Sequence, residues 1–234
     1  MPKVLLIIII LIFILTVISD IVARIYIYRG KKMTLSTDSY SALMKILNLK
    51  QDDLATEQTD LEIIEAKNYY YHPLKNIIAI NDFTSTTVHA HLATLHEAGH
   101  YLSINSSEKS KQRFQFSTVV IAFNRLIVIP FFVLCSFLLD YEKGPSTLLF
   151  SIATIFIIYF VYATILRFYS GLSEERRASQ IGLDYVEKNY DQKIFKFARV
   201  SYRLFYLQYF FFTLLIAVAI PFIYLVIFFF YVNL

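Results

Sequence analysis

Tryptophan is absent from the chain and cysteine occurs once, at Cys135. A single thiol allows no intrachain disulfide, and no metal site here can be built on several thiolates. Cys135 lies in an apolar run, where it reads as a small hydrophobic residue. Charged residues are scarce at 17%, against 57% hydrophobic and 17% aromatic residues, a balance far from that of soluble proteins. Much of the chain must face lipid, and a large independent soluble domain is excluded. Internal repeats and low-complexity tracts are missing, apart from the hydrophobic bias of the apolar runs. The net charge of +4 forms no basic stripe interleaved with stacking aromatics, so nucleic acid is not an expected partner.

Four apolar runs approach the roughly 20 residues that a helix needs to cross a bilayer: Val4 to Val22, Thr118 to Leu139, Thr147 to Leu166, and Tyr209 to Val232. The first follows Lys3 in the manner of a signal peptide. It is longer than a usual signal core and ends in Ser19-Asp20-Ile21-Val22-Ala23-Arg24, which favours a retained anchor. Eleven Lys and Arg lie between Arg24 and Arg113 and eight between Arg167 and Arg203, against Lys3 and Lys143 on the other side. The positive-inside rule then puts both polar blocks in the cytoplasm and both termini outside.

The expected architecture is a mainly α integral membrane protein of about four transmembrane helices, with a small α+β domain at the membrane surface. Its parts are an anchor (1–22), a first polar region (23–117), a transmembrane hairpin (118–166), a second polar region (167–208) and a final span (209–234). Ser39 to Leu47, behind Ser36, Thr37 and Asp38, suggests a short amphipathic helix. Gln51 to Asp60 reads as polar connecting sequence. Leu61 to Ala66 and Tyr69 to Tyr71, the turn-like His72-Pro73-Leu74-Lys75-Asn76, and Ile77 to Ile80 read as a β-hairpin. The strand Ile77 to Ile80 could offer an edge to an extended substrate, or bury that edge. A helix from about Thr86 to Ser103 follows, with Asp82 and Thr84 to Thr87 as capping candidates. On it Val88, Leu92, Leu95 and Gly99 form a packing side, and Glu97 and His100 lie on the other.

The chemistry sits on that helix. In His96-Glu97-Ala98-Gly99-His100 the histidines are four apart, so both imidazoles project from one face and can meet one Zn²⁺. Glu97 emerges a quarter-turn away, able to act on a zinc-activated water without ligating the metal. That is the HExxH arrangement of metallopeptidases. A catalytic zinc needs a third protein ligand, and Glu174-Glu175-Arg176-Arg177-Ala178-Ser179 lies on the same membrane side after two spans. Glu175 is favoured, because Ala178 one turn on lets the two helices pack closely and Ser179 could support the site. Glu174 is the second candidate. His89 shares the metal face two turns earlier, where it could bind substrate carboxylate, support the ligands, or be a plain surface histidine. His91 points elsewhere. Arg125, beside Asn124 inside the second run, reads as a side chain snorkelling to the surface in preference to a functional charge. Lys193, Lys196, Arg199 and Arg203, interleaved with Phe195, Phe197 and Val200, suggest a segment lying on an anionic leaflet.

Two separated motifs in this order, His96 to His100 and Glu175-Arg176-Arg177-Ala178-Ser179, resemble the bacterial membrane-bound neutral zinc metallopeptidases often called YugP-like. Tyr71-His72-Pro73-Leu74-Lys75 stands loosely in place of that family's Tyr-Asp-Pro-x-x-Lys. The resemblance covers Ser39 to about Tyr190. It implies a gluzincin-like peptidase domain, one zinc ion held by His96, His100 and Glu175, Glu97 as the catalytic base, a peptide or protein substrate, and the inner membrane of a bacterium. His72 replaces the usual acidic residue, and the segment after the second motif is basic and aromatic where the family is rich in alanine, which leaves substrate preference open. FtsH-type proteases share the His-Glu-Ala-Gly-His stretch but need a Gly-rich phosphate loop that is missing here. Site-2-type enzymes need an Asp-Gly motif, also missing. HtpX-like enzymes, with Glu-x-x-Ala-Asp after two spans, are the nearest rival. Outside the enzyme reading stands a catalytically inactive membrane scaffold or a zinc-dependent interaction protein.

Overall fold

The computed structural model describes residues 2–48, 61–140 and 143–232; the polar stretch Gln51 to Asp60 lies outside them. The chain is mostly helical with one small sheet, and it divides into two compact units. Elements in chain order are α1 (Pro2–Lys31), α2 (Ser39–Ile46), β1 (Glu62–Glu65), β2 (Tyr70–His72), β3 (Ile77–Ile80), α3 (Val88–Ile104), α4 (Glu108–Phe123), α5 (Ile129–Leu138), α6 (Thr147–Leu166), α7 (Leu172–Asn189) and α8 (Gln192–Val232).

One unit comprises Met1–Ile18, Phe116–Gly171 and Tyr209–Leu234. Its interior is Val128, Phe132, Cys135, Ala153, Phe160, Ile220 and Ile227, tightened by Phe150 stacked on Tyr231 at 4.0 Å between ring centroids. The Thr154 and Tyr224 hydroxyls lie 3.0 Å apart, and the Tyr159 hydroxyl donates to the Val120 carbonyl at 3.1 Å. These bonds satisfy polar groups where no water would. Large apolar side chains cover the outside, with Phe137 80% and Leu138 76% exposed. Four helical stretches, Val4–Lys31, Glu108–Leu138, Thr147–Asn189 and Gln192–Val232, are long and apolar enough to cross a bilayer, and such outward apolar faces are compatible with lipid contact.

Two of these helices contain a π-helical turn, at Asn124–Val128 and Arg167–Gly171. The first precedes Pro130, which has no N–H for the Leu126 carbonyl, and widening the turn redistributes the bonds. Arg125 lies in that turn and is exposed. At the second, a Cβ on Gly171 would stand 2.8 Å from the Tyr209 hydroxyl. The last helix differs from expectation: it begins at Gln192, well before Tyr209. The stretch with Lys193, Lys196, Arg199 and Arg203 is thus the first part of α8. Ile194, Phe195, Ala198 and Tyr202 on it are buried, and that apolar face keeps the helix going.

The other unit comprises Ser19–Gln115 and Leu172–Gln208. Its sheet has the order β1-β3-β2. The β2–β3 hairpin is antiparallel, with Tyr71 opposite Ile78. Its turn uses Asn76 in the left-handed region at φ 55°, a conformation asparagine tolerates, and the Tyr71 hydroxyl donates to Asn76 Oδ1 at 2.9 Å. The preceding run, expected to share in the hairpin, instead forms β1 parallel to β3, Glu62 facing Ile77. Ile77 to Ile80 is therefore the central strand, flanked on both sides, and offers no free edge to a substrate. A continuous apolar run suits such a position, and Ile78, Ala79 and Ile80 are fully buried.

Helix α3 lies between two packed layers of this unit. Ala98 joins Leu43, Leu47, Leu61, Ile78 and Ile80 on the side of the sheet and α2, while Val88, Leu92 and Leu95 join Val186, Ile194, Phe195, Ala198 and Tyr202 of α7 and α8. Its start is fixed by Thr87, whose hydroxyl accepts from the Ala90 N–H at 3.3 Å, one residue into the expected span. Asp82 caps the turn before it, accepting from the Thr84 N–H at 2.9 Å. Asp38 caps α2 in the same way, accepting from the Ser41 N–H at 2.7 Å. The Ser39 hydroxyl donates to the Asp82 carbonyl at 2.7 Å, so α2 and the entry to α3 are tied together.

Candidate metal centre

His96 and His100 stand one turn apart on α3, their ring centroids 4.6 Å apart and their planes crossed at 77°. Helix α7 crosses them closely because Gly99 has no side chain: a Cβ there would lie 2.8 Å from the Ala178 Cα. Helix backbones that near each other bring short side chains into register. Glu175, one turn before Ala178, places Oε2 3.1 Å from His96 Nε2 and 3.7 Å from His100 Nε2. The three donor atoms lie within 4.8 Å of one another. All three residues belong to the same compact unit.

This set fits a small divalent ion. In a tetrahedron with metal–ligand distances near 2.0–2.1 Å, ligand atoms are about 3.3 Å apart. The two N–O separations straddle that value. The remaining imidazole nitrogens are also engaged. His96 Nδ1 is 3.2 Å from Ser179 Oγ, and with its proton on Nδ1 the ring donates to that hydroxyl and turns an Nε2 lone pair toward Glu175. His100 Nδ1 is 3.6 Å from Glu174 Oε1. That is long for a hydrogen bond, so the contact is one of charge, between two buried atoms that have no hydrogen-bond partner. The other Glu174 oxygen accepts from the Ser103 hydroxyl at 3.0 Å. A carboxylate behind a ligating imidazole orients it and raises its basicity.

Electrostatics point the same way. Burial alone would lower the pKa of His100, but the carboxylates of Glu174 and Glu175 and the charge of Glu97 outweigh it and carry the value up to about 10. Burial opposes ionisation of Glu175, yet its contacts with His100 and His96 hold its carboxyl well below the usual range. Three carboxylates crowd two imidazoles, and among the described residues Glu174 and Glu175 have no Lys or Arg partner. Such a cluster demands a cation, which is either protons on the histidines or a metal ion.

Two residues here have roles that spacing does not reveal. By spacing, Glu174 is only the second candidate ligand. Consecutive helical residues point about 100° apart, and the pair divides, Glu175 toward both Nε2 atoms and Glu174 toward Nδ1 of His100. Tyr202 of α8 is the second: its ring lies 5.8 Å from that of His96, and its hydroxyl donates to the Leu92 carbonyl at 2.9 Å. Burial and the negative charge of Glu97 push its pKa upward. Gly182 makes room for it, since a Cβ there would be 2.7 Å from the Tyr202 hydroxyl. Serine three residues after His100, and glycine seven after Glu175, are the only local hints.

His89 packs against Gly30 of α1 and edge-on to Tyr69 at 6.0 Å. Burial, with help from Lys31, lowers its pKa to about 4. His91 is buried, Nδ1 3.0 Å from the Thr87 carbonyl oxygen and its ring edge-on to Tyr190. Glu97 is half-buried, close enough to His100 and Tyr202 for its charge to act on both. In comparisons with known proteins, no family model, no curated protein and no solved structure matches this chain.

Proposed function

We propose that the protein is a membrane-bound zinc endopeptidase of the YugP-like kind, hydrolysing peptide bonds in membrane-associated or misfolded proteins at the cytoplasmic face of a bacterial inner membrane. The observation that carries this reading is the meeting of Glu175 with His96 and His100 from a helix that follows two spans later. Two imidazoles and one carboxylate form a ligand set that zinc favours and that leaves a fourth position open. When bound, zinc acidifies water toward neutral pH and polarises a carbonyl.

The chain's own residues do the rest. Glu97 takes the proton of the attacking water as its oxygen bonds to the scissile carbonyl carbon. It then delivers that proton to the amide nitrogen as the C–N bond breaks. Ser179 and Glu174 keep the two imidazoles turned inward. Gly99 and Ala178 keep α3 and α7 in contact so that Glu175 stays in reach.

A non-catalytic scaffold or zinc-dependent interaction protein would use the same three ligands but would have no need of Glu97. Metal content and cleavage of an unfolded reporter protein separate the readings. Glu97→Gln is expected to keep zinc and lose hydrolysis, and Glu175→Ala to lose both. Hydrolysis surviving in Glu97→Gln would refute the mechanism.

A further inference from the structure

Beside the metal centre, between α7 and the first turns of α8, lies a cleft of about 700 Å³ lined by Arg176, Arg199, Arg203, Glu187, Ser179 and Tyr202. Three guanidinium groups against one carboxylate give its wall a net positive charge. Among the described residues none of the three arginines forms an ion pair. Arg199 is held over the Phe195 ring at 4.7 Å, an arrangement that steadies its head group without neutralising it. All of these residues lie in the unit that holds the metal ligands.

Two lining residues also touch His96. Ser179 is 3.2 Å from its Nδ1 and the Tyr202 ring is 5.8 Å from its ring, so one layer of side chains separates the cleft from the metal centre. The centre itself is crowded with the carboxylates of Glu97, Glu174 and Glu175, which repel any anionic substrate. A guanidinium-lined wall next to it reverses that field over a short distance and presents planar, bidentate donors for carboxylates.

We infer that this cleft is a substrate subsite that binds a carboxylate of the peptide, so that the enzyme selects acidic peptides. The inference rests on the peptidase reading for its role, but binding can be measured without hydrolysis. The carboxylate is either an Asp or Glu side chain or the free C-terminus of the peptide. Proximity to His96 favours a peptide over a lipid headgroup as the occupant.

The test uses the full-length, zinc-loaded Glu97→Gln protein in nanodiscs and three fluorescein-labelled peptides of one length. One carries two Glu and an amidated C-terminus, one carries Gln in their place with a free C-terminus, and one carries Gln with an amidated C-terminus. At low salt an acidic peptide is expected to bind about tenfold more tightly than the neutral one, and Arg199→Gln with Arg203→Gln should reduce that preference to about twofold. Preference for the first peptide assigns a side-chain carboxylate, and preference for the second assigns the terminus. Arg199→Glu with Arg203→Glu should turn the preference toward a Lys-containing peptide. Zinc content checks that each variant retains its metal centre.

Equal affinity for all three peptides, or a preference untouched by the arginine changes, overturns the inference. So does an effect of the arginine changes seen only in nanodiscs with anionic lipid, which would make the cleft a headgroup site. If the wild type cleaves no peptide while the binding preference stands, the peptidase reading fails and the subsite survives. If it cleaves all three with equal kcat/KM and binds them equally, the reverse holds.

Discussion

The Ala178 backbone occupies the space that a side chain on Gly99 would need, its Cα and carbonyl carbon each 2.8 Å from where a Cβ would stand. No real Cβ tolerates such a contact, and the obstacle is backbone, which cannot rotate aside. Gly99→Ala therefore forces α3 and α7 apart. Overpacking of this kind costs about 3 kcal/mol, and it also separates Glu175 from the histidines. A lowered unfolding temperature together with lost metal content is expected. A variant as stable as wild type with its metal intact would contradict the described packing.

Glu174 is 5% exposed, with the Ser103 hydroxyl on one oxygen and His100 facing the other. Replacing it by Gln keeps the size and an acceptor but removes the charge behind the imidazole. Metal affinity is expected to fall by roughly 10- to 100-fold, measured by competition with a chromophoric chelator, while the fold is retained. Were Glu174 itself the third ligand, Glu174→Gln would abolish binding and Glu175→Gln would spare it.

Tyr202 pins α8 to α3, the helix that carries His96 and His100, through the Leu92 carbonyl. Tyr202→Phe leaves the ring and removes one neutral hydrogen bond, so stability should drop by about 1 kcal/mol with metal content unchanged. Tyr202→Ala removes the ring from beside His96 and is expected to cost about 4 kcal/mol. Thermal unfolding of the two variants side by side separates the hydrogen bond from the packing.

His89 contributes one part of the pH dependence. Its pKa falls from the ordinary 6.5 to about 4 in the folded chain, because burial and then the charge of Lys31 disfavour the cation. The unfolded chain takes up a proton near pH 6.5 and the folded one only near 4. Stability from this source is complete above about pH 6.5 and declines as pH falls toward 4. A His89→Gln variant should lose less stability than wild type between pH 7 and pH 4 in thermal unfolding scans. Parallel curves for the two proteins would exclude His89 as the origin.

How much of this was legible in the sequence depends on the range of the interaction involved. The apolar runs, the Thr87 cap and the face of α3 follow from local periodicity, and the structure has helices in those places. The hairpin turn at His72 to Asn76 was legible for the same reason. The parallel pairing of β1 with β3 was not, because strand direction is set by a distant partner and leaves no trace in either run. Nor was the early start of α8, because its buried face of Ile194, Ala198 and Tyr202 is set by packing against residues distant in the chain. Between Glu174 and Glu175 spacing alone could rank candidates, but the division of labour between them needed the position of Ser103 in space.

The two histidines and the glutamate are separated in the chain by the whole of Phe116–Gly171. During synthesis a ribosome must therefore add some eighty residues after His96, including two stretches bound for lipid, before Glu175 exists to meet it. A partly made chain carries the two histidines without their third partner, so the group that could hold a metal ion closes only after the intervening segment has been made. Premature termination upstream of Leu172 leaves a fragment whose histidines have no Glu175 to close the cluster.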